Sequence, residues 1–157
     1  MGIKLGLYTH FKEGNRYIVY DVTTDEVTQK ERVSYMSCND KKKHSRFLDV
    51  FFEDVTDHPE NKTGQKDRFE YKGSTVTYTV AHEIVESFKD FLEKNSIPIP
   101  FGMGDSVTYR TGNRERPFSE DEIVGINNIG VYVNSKDGVH VPVLWSQMCS
   151  VQLNFDK

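Results

Sequence analysis

The sequence predicts a mostly β protein built from two small SH3-like barrels, of the KOW or Tudor type, joined by one α-helix. Short runs of aromatic and β-branched residues, separated by turn formers, dominate both halves of the chain. One stretch between them changes to helical period. The length, 157 residues, accommodates two units near the lower size for a self-supporting core, roughly 55–65 residues each. The expected division is 1–73 for the first barrel, 74–100 for the connecting helix and linker, and 101–157 for the second barrel. A single larger β domain with a helix across it is the alternative.

In the first half, Tyr17-Ile18-Val19-Tyr20-Asp21-Val22 and Arg32-Val33-Ser34-Tyr35-Met36 read as strands, and Arg46 to Phe52 as a third with a more continuous apolar character. Glu13-Gly14-Asn15 and Cys38-Asn39-Asp40 are turns. A further strand, Arg68-Phe69-Glu70-Tyr71, follows the polar loop from Thr56 to Asp67.

Ile84, Val85, Phe88, Phe91 and Leu92 then recur at one face of a helix, with Glu83, Glu86, Lys89, Asp90, Glu93 and Lys94 on the rest. Asn95, Pro98 and Pro100 end it. Thr77 or Thr79 is expected to cap its start, although His82 stands where a capping box after Thr79 needs Glu.

After Pro100 come a strand at Asp105–Arg110, a polar loop from Thr111 to Glu122, and a meander of 123–126, 130–133 and 139–145. Asn127-Asn128 and Ser135-Lys136-Asp137-Gly138 serve as its hairpin turns. A 3₁₀ turn at Ser146-Gln147-Met148 precedes a last strand from Cys149 to Phe155. A strand, a long loop, a meander, a short turn and a returning strand make the plan of an SH3-like barrel. Trp145, in Val-Pro-Val-Leu-Trp, reads as core; Tyr109, Tyr132 and Phe118 are candidates for an aromatic cage.

Composition narrows the chemistry. No apolar run approaches the roughly 20 residues of a membrane span, and the opening Met1-Gly2-Ile3-Lys4-Leu5-Gly6 lacks a signal peptide's apolar core, so the expectation is neither membrane-bound nor secreted. Cys38 and Cys149 stand far apart and read as two reduced thiols. Neither a nucleophile elbow nor a phosphate-binding loop is present, and His82-Glu83 begins a zinc-protease motif that fails at Glu86. His10, His44, His58, His82 and His140 have no ligand spacing among themselves or with the cysteines, and Gly102-Met103-Gly104 precedes a strand rather than a helix. The expectation is a non-enzyme with no metal and no cofactor.

Net charge is −4, yet the positive charge is unevenly placed. Residues 1–72 hold 13 Lys+Arg against 13 Asp+Glu, and residues 73–157 hold 7 against 11. Lys41-Lys42-Lys43-His44-Ser45-Arg46 sets four fixed cations in six positions, with Lys12, Arg16, Lys30 and Arg32 elsewhere in the same half, among Tyr8, Phe11, Tyr17 and Tyr35. Cations at such density neutralise phosphates and release counterions. The other reading of Lys41 to Lys43 is a solvated turn. In the second half Arg110, Arg114 and Arg116 surround Thr111-Gly112-Asn113, partly cancelled by Glu115, Glu120, Asp121 and Glu122.

Gly6-Leu7-Tyr8-Thr9-His10-Phe11-Lys12-Glu13-Gly14-Asn15-Arg16-Tyr17-Ile18-Val19 resembles the opening of a small bacterial and phage family of unknown function, whose members begin with Tyr-x-His-(Phe/Tyr)-Lys-Gly. Phe47-Leu48-Asp49-Val50-Phe51-Phe52-Glu53 with Arg68-Phe69-Glu70-Tyr71 is similar to that family's closing segment. Glu13, inserted before Gly14, and the basic Lys41–Ser45 depart from the pattern. In architecture and mass the whole chain resembles the MotB-like early proteins of T-even phages. That resemblance implies a sequence-nonspecific, nucleoid-associated DNA binder of the host cytoplasm and nucleoid, modulating host and phage gene expression. It supplies no residue-level motif. Two further readings stay open: an adaptor that binds a host protein through the Tudor-like barrel, motivated by the acidic second half, and a nucleotide sponge.

Overall fold

The computed structural model describes residues 3–81, 84–97 and 101–157. His82-Glu83 of the truncated motif, and Pro98 and Pro100 at the expected helix end, lie outside the described residues. The chain is mostly β and divides into two compact units, Met1–Val76 and Thr77–Phe155.

Unit 1 holds an antiparallel five-stranded sheet of β1 (Gly6–His10), β2 (Arg16–Thr24), β3 (Glu31–Ser37), β4 (Lys43–Phe47) and β5 (Phe69–Gly73), with a helical turn α1 (Leu48–Phe51). The order is β4-β3-β2-β1-β5: a meander whose last strand returns beside the first. Tyr8, Val19, Val33, Tyr35, Phe51 and Phe69 form the core on one face of the sheet. The continuous strand expected over Arg46–Phe52 is therefore corrected to a strand ending at Phe47 and a helical turn. Strand alternation would put Phe51 on the opposite face from Leu48 and Phe52, whereas helical i, i+3, i+4 spacing brings all three to the core. Phe51 stacks on Phe69 at 4.2 Å.

β1 has no strong strand composition of its own. It forms because β2 and β5 pair with it on both sides. Gly6 permits this: its φ is +133°, and a Cβ there would lie 2.3 Å from the Gly73 carbonyl oxygen. The 54–67 loop is tied internally by side-chain amides. Buried Gln65 donates to the carbonyls of Thr9, Asp67 and Arg68, and Asn61 to those of Val55 and Gln65.

Unit 2 repeats the plan. β7 (Ser106–Arg110), β8 (Phe118–Ile126), β9 (Gly130–Asn134) and β10 (His140–Leu144) form the meander, a 3₁₀ turn (Trp145–Gln147) follows, and β11 (Met148–Asn154) returns beside β7. β6 (Thr75–Thr79), in the stretch expected as linker, adds a sixth strand beside β11. β8 begins at Phe118 rather than Ile123, because pairing with β7 extends it through the polar residues of the expected loop. The 3₁₀ turn starts one residue earlier than expected and includes Trp145.

The helix α2 runs only from Phe88 to Asn95. Ser87, not Thr77 or Thr79, caps it, its hydroxyl accepting the Asp90 N–H, while Asp90 accepts the Glu86 N–H in return. Ile84 and Val85, expected on the helix face, precede the cap. Ser96 in the left-handed region, with the Ile97 N–H returning to the Leu92 carbonyl, closes the other end. Phe91 is buried against Trp145, rings stacked at 4.6 Å.

Candidate nucleic-acid interface

β3 and β4 form the hairpin that carries the basic run. Ser37 receives the Lys41 N–H and donates its own N–H to Lys42, which closes the turn, and Lys41 supplies the positive φ (61°). Lys43 opens β4 opposite Met36, and Arg46 lies opposite Val33. Arg16 begins β2 beside this turn, its carbonyl accepting the Cys38 N–H. Burial pushes the Cys38 thiol pKa up, and the charges of Lys41 and Arg16 oppose that rise. Arg16, Lys41, Lys42 and Lys43 thus gather at one end of the sheet, the two lysines at the tip and Lys43 exposed. Asp40 lies in the same turn. The Lys42 backbone N–H, 2.9 Å from its carboxylate, holds Asp40 below the usual carboxylate range.

The remaining cations of unit 1 are placed elsewhere. Arg32 stacks on Phe47 at 4.4 Å, with its Nε donating to Ser45, and Lys30 lies 5.8 Å from the same ring. They occupy the far end of the hairpin, four pairs along the register from Lys43, or roughly 13 Å at the rise of a strand. Lys43 lies 5.9 Å from the Tyr20 ring on the same outer side. Lys12 is ion-paired to Glu60 at 2.9 Å, which lowers the Glu60 pKa. Arg46 is on the opposite, core-facing side, its Nε donating to the Tyr35 hydroxyl at 2.7 Å. The expected single cluster is therefore a turn-end group, a far-end pair, one acid-paired lysine and one inward arginine. Alternation across β4 separates what lies together in sequence.

In unit 2, Arg110 and Arg114 line a shallow cleft of about 280 Å³ with Pro117 and exposed Phe118. Arg116 lines a different cleft of about 520 Å³, with Glu120, Asp121, Glu122 and Lys136. The three arginines do not converge. Nor do Tyr109, Tyr132 and Phe118 form a cage: Tyr109 is buried and donates to Asp121 at 2.8 Å, with no ring contact to the other two. Trp145 is core, as its apolar strand predicts.

β4 is an edge strand, and its cations, Lys43 and Arg46, also resist pairing with other chains. Alternation along β4 groups Phe47 with Lys43 on the outer side and His44 with Arg46 on the other, a signal present in the sequence, whereas Tyr20 reaches Lys43 only through the pairing of β2, β3 and β4. Among the described residues, no three His, Cys, Asp or Glu side chains converge as a metal requires, and no helix is long and apolar enough to cross a membrane.

Residues 6–71 match the family described as a protein of unknown function (DUF1653), so the N-terminal domain is similar to that family. No curated protein and no solved structure matches the chain significantly.

Proposed function

We propose that the protein binds DNA without strong sequence preference, through the phosphate backbone, as a nucleoid-associated early phage protein that alters host and phage gene expression in the host cytoplasm and nucleoid. The observation that carries this reading is the gathering of Arg16, Lys41, Lys42 and Lys43 around one hairpin turn, because local charge density sets the field that a polyanion meets. The resemblance in architecture and mass to the MotB-like early proteins supports it. Lys30 and Arg32 extend the same outer side of the sheet. Replacing Lys41, Lys42 and Lys43 with Gln should flatten the log K against log salt slope on duplex DNA by about 0.9 per lost contact. Coincident wild-type and variant salt titrations remove the turn from the interface.

A second reading, an adaptor that binds a host protein, is favoured by one feature of unit 2. Ile84, Val85, Ile129, Leu144 and Trp145 line a groove of about 500 Å³, with Ile84 and Ile129 largely exposed. A partner retained after nuclease treatment, and released by Ile129→Glu, distinguishes it from DNA binding.

A further inference from the structure

On β4 the positions facing the core are filled by His44 and Arg46, where an apolar residue would serve packing better. His44 is paired with Tyr35 and stacks on it, ring centroids 5.3 Å apart and planes at 27°, while remaining exposed. Tyr17, half-buried, lies 6.5 Å from His44 and 5.6 Å from Tyr35, and His10 lies 6.1 Å from Tyr17. Four rings therefore run together along one side of the sheet.

Arg46 stands beside them. Its hydrogen bond goes to the neutral Tyr35 hydroxyl, which orients the guanidinium without cancelling its charge. The two neighbouring cations differ in this respect: Arg68 is paired to Glu53 and Lys12 to Glu60. A flat, exposed π-surface next to an oriented guanidinium suits a ligand with a ring and an anion a short distance apart.

We propose that this face is a stacking site for an unpaired nucleotide, the base lying on the outer side of His44 beside Tyr17 and its phosphate on Arg46. A base inside a duplex has both faces covered by its neighbours, so only single-stranded nucleic acid can offer one. The proposal rests on the nucleic-acid reading above and names its substrate class, single strands, with the turn lysines following the backbone. Inward-facing charge on an edge strand has another use, which is to prevent edge-to-edge pairing. Lysine at position 44 keeps that use and removes the ring.

The test is fluorescence anisotropy of the full chain with a labelled thymidine strand of about 12 nucleotides and a duplex of the same length, a span that fits one small barrel. His44→Lys adds the same backbone attraction to both ligands, so it should lower the ratio of single-strand to duplex affinity about five- to tenfold, while His44→Tyr, which keeps a ring, should keep the wild-type ratio. In the wild-type protein the His44 ring proton resonances should move upfield as the strand is added, a readout that needs no variant. If His44→Lys keeps the wild-type ratio of single-strand to duplex affinity, or those resonances do not move, the stacking site is wrong and the backbone reading stands. Wild-type protein that binds neither strand nor duplex overturns both.

Discussion

His10 links a single residue to the behaviour of unit 1. Burial first, and then the charges of Arg68, Lys12 and Arg46, lower its pKa from 6.5 to about 4. In the unfolded chain the imidazole takes its proton near 6.5, so between about pH 6.5 and 4 the unfolded state binds the extra proton. Stability from this residue is fully present above about pH 6.5 and falls as pH falls through that window, by roughly 3 kcal/mol in all. The depressed carboxylates of Asp25, Asp40, Asp54 and Glu60 act lower, their contributions being lost as pH falls below the ordinary carboxylate range. His10→Gln should therefore flatten the dependence of urea stability on pH between about 6.5 and 4.5. An unchanged slope in the variant refutes the assignment. In unit 2, the buried Asp121 accepts from both Tyr109 and Ser119, each at 2.8 Å. Tyr109→Phe removes one donor and should cost about 1–2 kcal/mol in urea unfolding.

At the scale of elements, α2 is too short to persist alone and holds through its cap and its packing. Ser87→Ala should cost about 1 kcal/mol, and Phe91→Ala, which opens space against Trp145, about 3–5 kcal/mol, both read from denaturation midpoints. The β9–β10 hairpin depends on close approach instead. A Cβ at Gly130 would sit 1.9 Å from the Val143 carbonyl oxygen, so Gly130→Ala must separate the two strands. Hydrogen exchange should then accelerate across β10 while β7 and β11 keep their protection. Pro142 protects this edge strand as charge protects β4, since it offers no N–H to a neighbouring chain.

The whole molecule repeats one topology on two different surfaces. Each unit is a four-strand meander, a short helical turn and a strand that returns beside the first. Unit 1 carries its cations around the β3–β4 turn, whereas the arginines of unit 2 are divided between clefts and Arg116 is set among carboxylates. Phosphate affinity should accordingly reside in the first unit. Arg116→Gln is expected to leave the salt slope of duplex binding unchanged where Lys42→Gln with Lys43→Gln lowers it by about 1.8. Equal effects from the two sets would mean that both units grip the backbone.

The two-unit β plan was legible because strand patterning and turn chemistry are local: Tyr17–Val22, Arg32–Met36 and the two hairpin turns of the second meander read directly from alternation and from Asn, Asp and Gly. The core role of Trp145 followed from its apolar strand. What sequence could not decide was set by partners distant along the chain. β1 and β6 are strands because neighbours pair with them, Leu48–Phe51 turns helical because three side chains must reach one core, and the basic run divides because alternation sends Lys43 and Arg46 to opposite sides of β4. Local pattern specifies which residues can form an element. Which face each side chain finally presents depends on register and closure, and these exist only once the strands have met.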